Sequence, residues 1–215
     1  MYPMMSRILL LILVTTSFVA YAGASNNLVE VSLPKGVHIE LPKNWVVLSE
    51  NQRITLDSAV KSRLDLSNQG YEKSSLPFAA NLYSDGGTTL AMVNVRYYPG
   101  LDLSQAEIEG STSEEVAALD NELKRQMLIS AKAANITVTS WLGTKLREIN
   151  GISVFVTEYE RKALVGAGQF RVRLVRVYSG SRSFTLTVSY KKSAAYLLEP
   201  ITDRIISSLY ADGIT

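Results

Sequence analysis

Four consecutive segments in the C-terminal half of the chain alternate apolar and polar residues, which is the pattern of strands that bury one face of a sheet. Asn150-Gly151 separates the first two segments, and this dipeptide favours a tight β-hairpin turn. Gly180-Ser181 separates the last two, and the looser stretch 163–168 joins the middle pair. Connections this short require neighbouring strands to run antiparallel. The sequence therefore predicts a four-stranded antiparallel meander.

The positions of the turns also predict which residues lie opposite one another. If Lys162 faces Gln169 across the second connection, the registers of the three hairpins join into two polar rows across the four strands, Trp141–Glu160–Arg171–Tyr190 and Gly143–Glu158–Arg173–Val188. Each row brings a glutamate opposite an arginine, and cross-strand pairs of opposite charge stabilise a sheet. One register produces both pairs, and their opposite charges support that register independently of the turn signals.

One end of this sheet face is apolar and suited to a covering helix, whereas the other end carries arginines, glutamates and aromatic rings. Arginine binds carboxylates and phosphates through two parallel hydrogen bonds, and aromatic rings add stacking area. The polar end is therefore a candidate site for a small anionic ligand or a protein partner, comprising Trp141, Glu158, Glu160, Arg171, Arg173 and Tyr190. The alternative is that these residues form cross-strand ion pairs, each contributing less than about 1 kcal/mol.

The N-terminal half also contains strand patterns. Period-two alternation predicts strands near residues 29–33 and 37–41 and a short strand over 45–48. A hairpin is predicted from 78–84 and 88–97, because Asp85-Gly86-Gly87 between them is a strong turn signal.

Three helices are predicted around these strands. Capping boxes at Ser49–Gln52 and Thr112–Glu115 begin helices over 50–66 and from 113 to about Asn135. A C-terminal helix is entered at Pro200, a residue that favours the first helical turn. It carries Leu197, Ile201, Ile205 and Leu209. Helices interleaved with a mostly antiparallel sheet define an α+β fold in which the helices cover the sheet faces.

The N-terminus has the three parts of a secretory signal peptide. A short leader with Arg7 precedes the apolar run 8–20, and Ala20-Tyr21-Ala22 offers small residues at the spacing that signal peptidase reads. We expect cleavage between Ala22 and Gly23, with a second site before residue 25. This predicts a signal peptide over 1–22 and a single exported domain, periplasmic or secreted, over 23–215. An uncleaved membrane anchor is the alternative, although a spanning helix needs roughly 20 apolar residues.

Composition excludes several classes of chemistry. The chain has no cysteine, which excludes disulfides, Cys-ligated zinc, Fe–S clusters, thiol catalysis and the lipidated cysteine of a lipoprotein. Lys+Arg number 22 and Asp+Glu 20, so the overall balance carries no signature of nucleic-acid binding. The domain is expected to be a monomer held together by its core.

The order of elements resembles the PsbP-like sandwich and the DcrB-like periplasmic proteins. The similarity is carried by IELPKNW (39–45), by VNVRYYPG (93–100) and by LLEPITDRIISSL (197–209), and it would span most of the mature chain. It implies an α/β/α sandwich and an extracytoplasmic compartment, and it assigns no catalytic, cofactor or metal residues. DcrB-like proteins usually carry a lipidated cysteine, which this chain lacks, so membrane tethering does not transfer.

His38 is the only histidine and hence the only candidate base for a serine hydrolase. Glu40 shares its strand face, but the chain contains no G-x-S-x-G motif, so we interpret His38 as an ordinary exposed strand residue. Gly166-Ala167-Gly168 joins two predicted strands, whereas a dinucleotide-binding loop opens a helix.

The remaining acidic and asparagine motifs also have structural interpretations. The acidic pairs Glu107/Glu109 and Glu114/Glu115 are interpreted as helix caps and solvated charges. Asn135 begins a glycosylation sequon that matters only in a eukaryotic secretory pathway.

The sequence thus predicts an exported, non-enzymatic binding or accessory module with no catalytic residues, metal or cofactor. Its partner would be an unknown protein or a small anionic ligand, not nucleic acid, and it would meet the membrane only through an uncleaved leader. Two alternatives remain open, a carboxylate-based hydrolase and an envelope protein tethered by its leader.

Overall fold

The computed structural model describes residues 27–63, 74–98, 103–163, 166–180 and 182–214. The predicted signal peptide and its cleavage site at Ala22–Gly23 lie outside these ranges. Among the described residues, no helix combines the length and the apolar character that crossing a bilayer requires.

Ten strands form two antiparallel sheets in the described part of the chain. The strands are β1 (Leu28–Leu33), β2 (Val37–Pro42), β3 (Val46–Val47), β4 (Ser75–Tyr83), β5 (Thr89–Tyr97), β6 (Val138–Ile149), β7 (Ile152–Lys162), β8 (Gln169–Val177), β9 (Phe184–Lys191) and β10 (Tyr210–Ala211). The large sheet has the order β3-β4-β5-β9-β8-β7-β6, and the small sheet has the order β1-β2-β10.

The predicted meander is confirmed as β6 to β9. Asn150 and Gly151 have φ values of 49° and 77°, the left-handed backbone that a two-residue hairpin turn needs, and Ile149 pairs with Ile152. The predicted registers of β7 with β8 and of β8 with β9 are confirmed along their whole lengths. Asn150 also donates from its side chain to the Ser207 and Leu209 carbonyls, so the turn anchors the C-terminal segment.

The predicted position of Trp141 is wrong by one residue, because β6 contains a bulge. The register shifts between Trp141 and Gly143, so that Trp141 pairs with Tyr159 and Ser140 takes the place opposite Glu160. Gly143 has φ +100°, a conformation that glycine adopts readily. Since side chains alternate between faces, the bulge moves Trp141 to the opposite face of the sheet.

Four helices accompany the sheets in the described ranges, and two differ from prediction. They are α1 (Glu50–Arg63), α2 (Gln105–Glu109), α3 (Ser113–Ala133) and α4 (Ala195–Ser207). The capping boxes of α1 and α3 are confirmed, and the unpredicted α2 begins with a third, formed by Ser104 and Glu107. Asn135, with φ +55°, follows the end of α3 as predicted.

Pro200 lies inside α4 and not at its entry, so that prediction is wrong. The helix begins at Ala195, directly after a 3₁₀ turn over Lys192–Ala194. A proline at the sixth helical position removes the hydrogen bond to the carbonyl of residue 196, and its ring crowds that carbonyl. Tyr196 is 79% exposed, a position where water can replace that bond.

The large sheet is covered on both faces, which confirms the predicted α+β sandwich. One face, called here the inner face, packs against α4 and the small sheet around the main core, which includes Ile39, Val156, Phe184, Leu186 and Ile205. The other, called the outer face, packs against α3 through Tyr159, Val172, Leu174, Met127 and Trp141. The salt bridge from Asp57 of α1 to Arg96 of β5 places α1 on the outer face as well.

Candidate binding surface at the charged end of the sheet

The predicted polar rows lie on the inner face, where the sheet extends past its apolar core. Glu158 and Glu160 of β7 pair with Arg173 and Arg171 of β8, as the sequence predicted. Tyr190 lies opposite Arg171 on β9. The alternating residues that continue the same face on these strands are buried in the main core.

Helix α4 places two further acids over the arginines, and the sequence analysis did not identify them. Glu199 and Asp203 are four residues apart, so they lie one turn above each other on the helix face toward the sheet. Arg173 donates to Asp203 Oδ1 and, at 2.9 Å, to Glu199 Oε1. A third acid, Glu158, has its Oε1 3.7 Å from Arg173 Nε. Arg173 is 8% exposed, so these contacts enclose its charge.

Glu160 is held in the same way by two cations. Lys192 Nζ donates to its Oε2 at 2.7 Å, and Arg171 Nη2 donates to its Oε1 at 3.0 Å. These bonds, that of Lys192 first, lower the pKa of the Glu160 carboxyl although burial opposes the shift. Arg171 Nη1 also lies 3.7 Å from Glu199 Oε1. The two predicted rows are thus joined into one ion network with the beginning of α4.

This network changes what the charged end can bind. Its members are three cations, Arg171, Arg173 and Lys192, and four acids, Glu158, Glu160, Glu199 and Asp203, which gives a formal charge of −1. The guanidinium groups that we predicted to receive an anion already contact carboxylates of the same chain. The sequence analysis missed the contact of Glu199 with these arginines, because a helix that begins at Pro200 leaves Glu199 outside it.

The two aromatic members of the predicted site have different positions. Tyr190 is 1% exposed, and burial raises its pKa to about 12. Its ring lies 5.8 Å from the Arg173 guanidinium, within cation–π range. Trp141 lies on the outer face, where it stacks on Tyr159 and donates from Nε1 to Asp120 Oδ1 at 2.9 Å. The structure therefore brings five of the six predicted residues together and separates Trp141 from them.

A small cleft adjoins the network at the edge strand β6. It has a volume of about 110 Å³ and is lined by Leu142, Gly143, Lys145, Arg147, Val156 and Glu158. Lys145 and Arg147 are exposed, and within the described ranges neither takes part in an ion pair. They lie opposite Val156 and Val154, beside the ion network, and are available to a partner.

His38 lies in a second, open cleft of about 390 Å³, on the small sheet. Its Nδ1 is 3.0 Å from Glu30 Oε1 and 3.2 Å from Ser32 Oγ, and its Nε2 is 3.3 Å from Asp212 Oδ2. The Tyr210 ring lies 5.9 Å away. The hydrogen bond to Asp212, the largest cause, and that to Glu30 raise the pKa of His38 despite some desolvation.

An imidazole beside a serine and an acid invites comparison with a catalytic triad. Here, however, carboxylates contact both ring nitrogens, and this favours the doubly protonated ring, which cannot accept the proton of a serine. Glu30 and Asp212 are also largely exposed and lie at opposite edges of the ring, so they do not converge on one reacting atom. Among the described residues, no three His, Asp or Glu side chains are grouped so as to hold a metal ion.

We expect His38 to titrate above its ordinary pKa of 6.5. A pKa raised by folding adds stability that is complete below pH 6.5 and is lost as the pH rises through the folded-state value. NMR titration of the single histidine measures this directly. Asp212→Asn should move the pKa back down, because it removes the charge and keeps the shape. A wild-type pKa at or below 6.5 would contradict the assignment.

The acidic pairs and the glycine-containing loop that the sequence analysis considered have structural roles. Glu107 and Glu115 accept hydrogen bonds from the backbone N–H of Ser104 and Thr112, which confirms their interpretation as helix caps. The 166–168 segment lies between β7 and β8, closed by a hydrogen bond from Ala163 N to the Gly168 carbonyl at 2.9 Å. It joins two strands, as predicted for a hairpin.

Comparison with solved structures agrees with this architecture. The solution structure of cyanobacterial PsbP (CyanoP) from Synechocystis sp. PCC 6803 superimposes with a TM-score of 0.54 and 13% sequence identity, over 86% of this chain and 92% of that one. This chain has the PsbP-like fold. The resemblance predicted from the sequence is therefore confirmed for the fold, and identity this low shows nothing further.

Two further structures are more distant matches. LpqN of Mycobacterium tuberculosis, described as involved in cell envelope biogenesis, has a TM-score of 0.43 and 11% identity over 85% of this chain and 89% of its own. PA94 of Pseudomonas aeruginosa, of unknown function, has a TM-score of 0.37 and 9% identity over 86% and 96%. No family model and no curated protein matches the chain.

Proposed function

We propose that this PsbP-like protein is an exported, non-enzymatic binding or accessory module whose partner binds at the charged end of the large sheet. The export part of this proposal rests on the signal-peptide pattern of residues 1–22. The binding part rests on the surface chemistry of that sheet end.

The observation that carries the proposal is the difference between two pairs of cations. Arg171 and Arg173 are enclosed by acids of β7 and α4, whereas Lys145 and Arg147 line the adjoining cleft without an ion-pair partner among the described residues. A partner that brings carboxylates to the cleft would neutralise the second pair. Exposed cations of this kind steer an acidic partner and fix its orientation.

The remaining residues of the predicted site support the surface instead of contacting the partner directly. The ion network fixes α4 over the sheet, and Glu158 connects the network to the wall of the cleft. The bulge and the two cations also discourage β6 from pairing indiscriminately with other strands. We therefore expect the partner to present an acidic segment to Lys145 and Arg147, with the exposed Leu142 as an apolar contact.

A charge-reversal experiment tests this surface. In intact cells, the double variant Lys145→Glu/Arg147→Glu should reduce the yield of crosslinked partner at least tenfold, measured by quantitative mass spectrometry. The matched control is Lys124→Glu/Lys132→Glu on α3, which changes the net charge equally at two exposed lysines elsewhere. Equal crosslinking in wild type and the cleft variant, or an equal loss in the control, would overturn the proposed surface.

A further inference from the structure

Strand β6 is the last strand of the large sheet, so one side of its backbone faces outward. The bulge after Trp141 limits the regular part of this edge to residues 144–149. The two-residue turn between β6 and β7 makes its flanking isoleucines a hydrogen-bonded pair, and bonded residues alternate along an antiparallel ladder. The N–H and C=O groups that point away from β7 are therefore those of Thr144, Leu146 and Glu148.

The neighbouring strand gives independent evidence for this alternation. Ser153 of β7 lies opposite Glu148, but its backbone bonds the side chain of Gln105 instead. Its N–H donates to Gln105 Oε1 at 2.8 Å, and its carbonyl accepts from Gln105 Nε2 at 3.2 Å. Glu148 thus directs its own N–H and C=O groups to the outside of the sheet, where no group of the described residues bonds them.

The side chains of this edge carry opposite charges on the two faces of the sheet. Lys145 and Arg147 lie on the inner face, whereas Leu146 and Glu148 lie on the outer face. All three charged side chains are exposed. The cleft of about 110 Å³ adjoins the two cations, so carboxylates have room beside them.

This charge pattern determines which strand can pair with β6. Opposite charges across neighbouring strands stabilise a sheet, and like charges directly opposite destabilise it. Two copies of this chain, paired antiparallel about Leu146, would bring their cations opposite each other. The edge therefore opposes self-pairing, as charged side chains on edge strands commonly do. A segment with acids at alternating positions would instead gain two favourable pairs.

We propose that the partner binds by β-strand addition, as an extended acidic segment that pairs its backbone with the outward groups of β6. Two of its carboxylates, two residues apart, lie opposite Lys145 and Arg147, and the residue between them faces Leu146. Main-chain hydrogen bonds supply affinity in this mode of recognition, and alternate side chains supply specificity. This inference rests on the docking surface proposed above and specifies the form of the partner.

The test uses the exported domain and the capped heptapeptide Thr-Val-Glu-Val-Glu-Val-Thr, with binding measured by calorimetry. Two N-methylated isomers keep its composition and charge, one with methyl groups on the amides of one edge of the strand and the other with them on the opposite edge. Only one isomer leaves free the amides that pair with β6, so the two affinities should differ at least tenfold, about the effect of losing one or two hydrogen bonds.

Hydrogen exchange locates the pairing on the chain. The peptide should slow exchange of the Thr144, Leu146 and Glu148 amides. Glu148→Pro and Glu148→Ala both remove the acid, but only proline removes an outward N–H, a change that edge strands tolerate. Glu148→Pro should therefore bind the peptide about fivefold more weakly than Glu148→Ala. Equal melting temperatures of these two variants show that the fold is retained.

The outcomes separate strand addition from the docking surface. If Lys145→Glu/Arg147→Glu abolishes peptide binding but the N-methylated isomers bind equally and no outward amide is protected, the surface stands and strand addition is wrong. A heptapeptide that does not bind also overturns strand addition, while the crosslinking experiment decides the surface separately. The matched peptide with lysine in place of both glutamates should not bind, and equal binding of it would show that the cations do not select the partner.

Discussion

Replacing Phe184 by alanine is expected to lower the free energy of unfolding by about 3–5 kcal/mol, the range for truncating a fully buried phenylalanine. Phe184 is 1% exposed at the start of β9. It lies opposite Val177, and its ring meets that of Tyr97 edge-on with centroids 5.9 Å apart. The cavity would open between the large sheet and the elements of the inner face. Urea unfolding followed by circular dichroism measures the loss.

Tyr196→Ala is the matched control for this prediction. It also removes an aromatic ring, but Tyr196 is 79% exposed on α4, so we expect a change of no more than about 0.5 kcal/mol. Similar losses in the two variants would contradict the assignment of the core to the inner face. The contrast separates the effect of burial from the effect of removing a ring.

The second large effect is expected at Gly36, where alanine should cost about 2–5 kcal/mol of unfolding free energy. Gly36 has φ +71°, which strains an L-residue by about 1–2 kcal/mol. An added Cβ would also lie 2.7 Å from Asp212 Oδ2 and 2.8 Å from Asp212 Cβ. Asp212 cannot withdraw easily, because its backbone N–H donates to the Gly36 carbonyl at 2.8 Å. The overlap adds about 1–3 kcal/mol, as overpacking usually does.

Gly151→Ala separates these two contributions. Gly151 also has positive φ, at +77°, but no atom of the described residues other than its chain neighbours lies within 4 Å of the place that a Cβ would occupy, so only the backbone strain should be felt. The Gly36 variant should in addition lower the pKa of His38, since displacing Asp212 breaks the bond to His38 Nε2. An unfolding free energy that is equal in the two variants would show that Asp212 moves away without cost.

The sequence predicted the meander because its causes are local. Side chains alternate with a period of two along each strand, and Asn150-Gly151 sets the register of β6 with β7. The pairing of Glu158 with Arg173 and of Glu160 with Arg171 follows from the register of β7 with β8, in which Lys162 faces Gln169. The same holds for the capping boxes, each of which spans four residues. The resemblance to the PsbP-like fold rests on the order of these locally determined elements.

The candidate site was predicted only in part, because its remaining contacts join residues far apart in sequence. Asp203 reaches Arg173 across 30 positions, and Asp212 reaches His38 across 174. The periodicity of side chains within a helix or a strand cannot predict contacts between residues so far apart in sequence. They exist because α4 packs back over the inner face and the last strand closes the small sheet.

The alternating pattern and the turns of the sequence by themselves determined the strands, most registers and the two rows of opposite charge. The tertiary structure alone decided that Glu199 and Asp203 of α4 lie over the two arginines of the rows, and that Trp141 turns to the outer face. The physical reason is that the register of a hairpin is set by its turn and by the alternation of side chains along each strand, both of which are local in sequence. The compensation of a buried charge depends on whichever element packs over it.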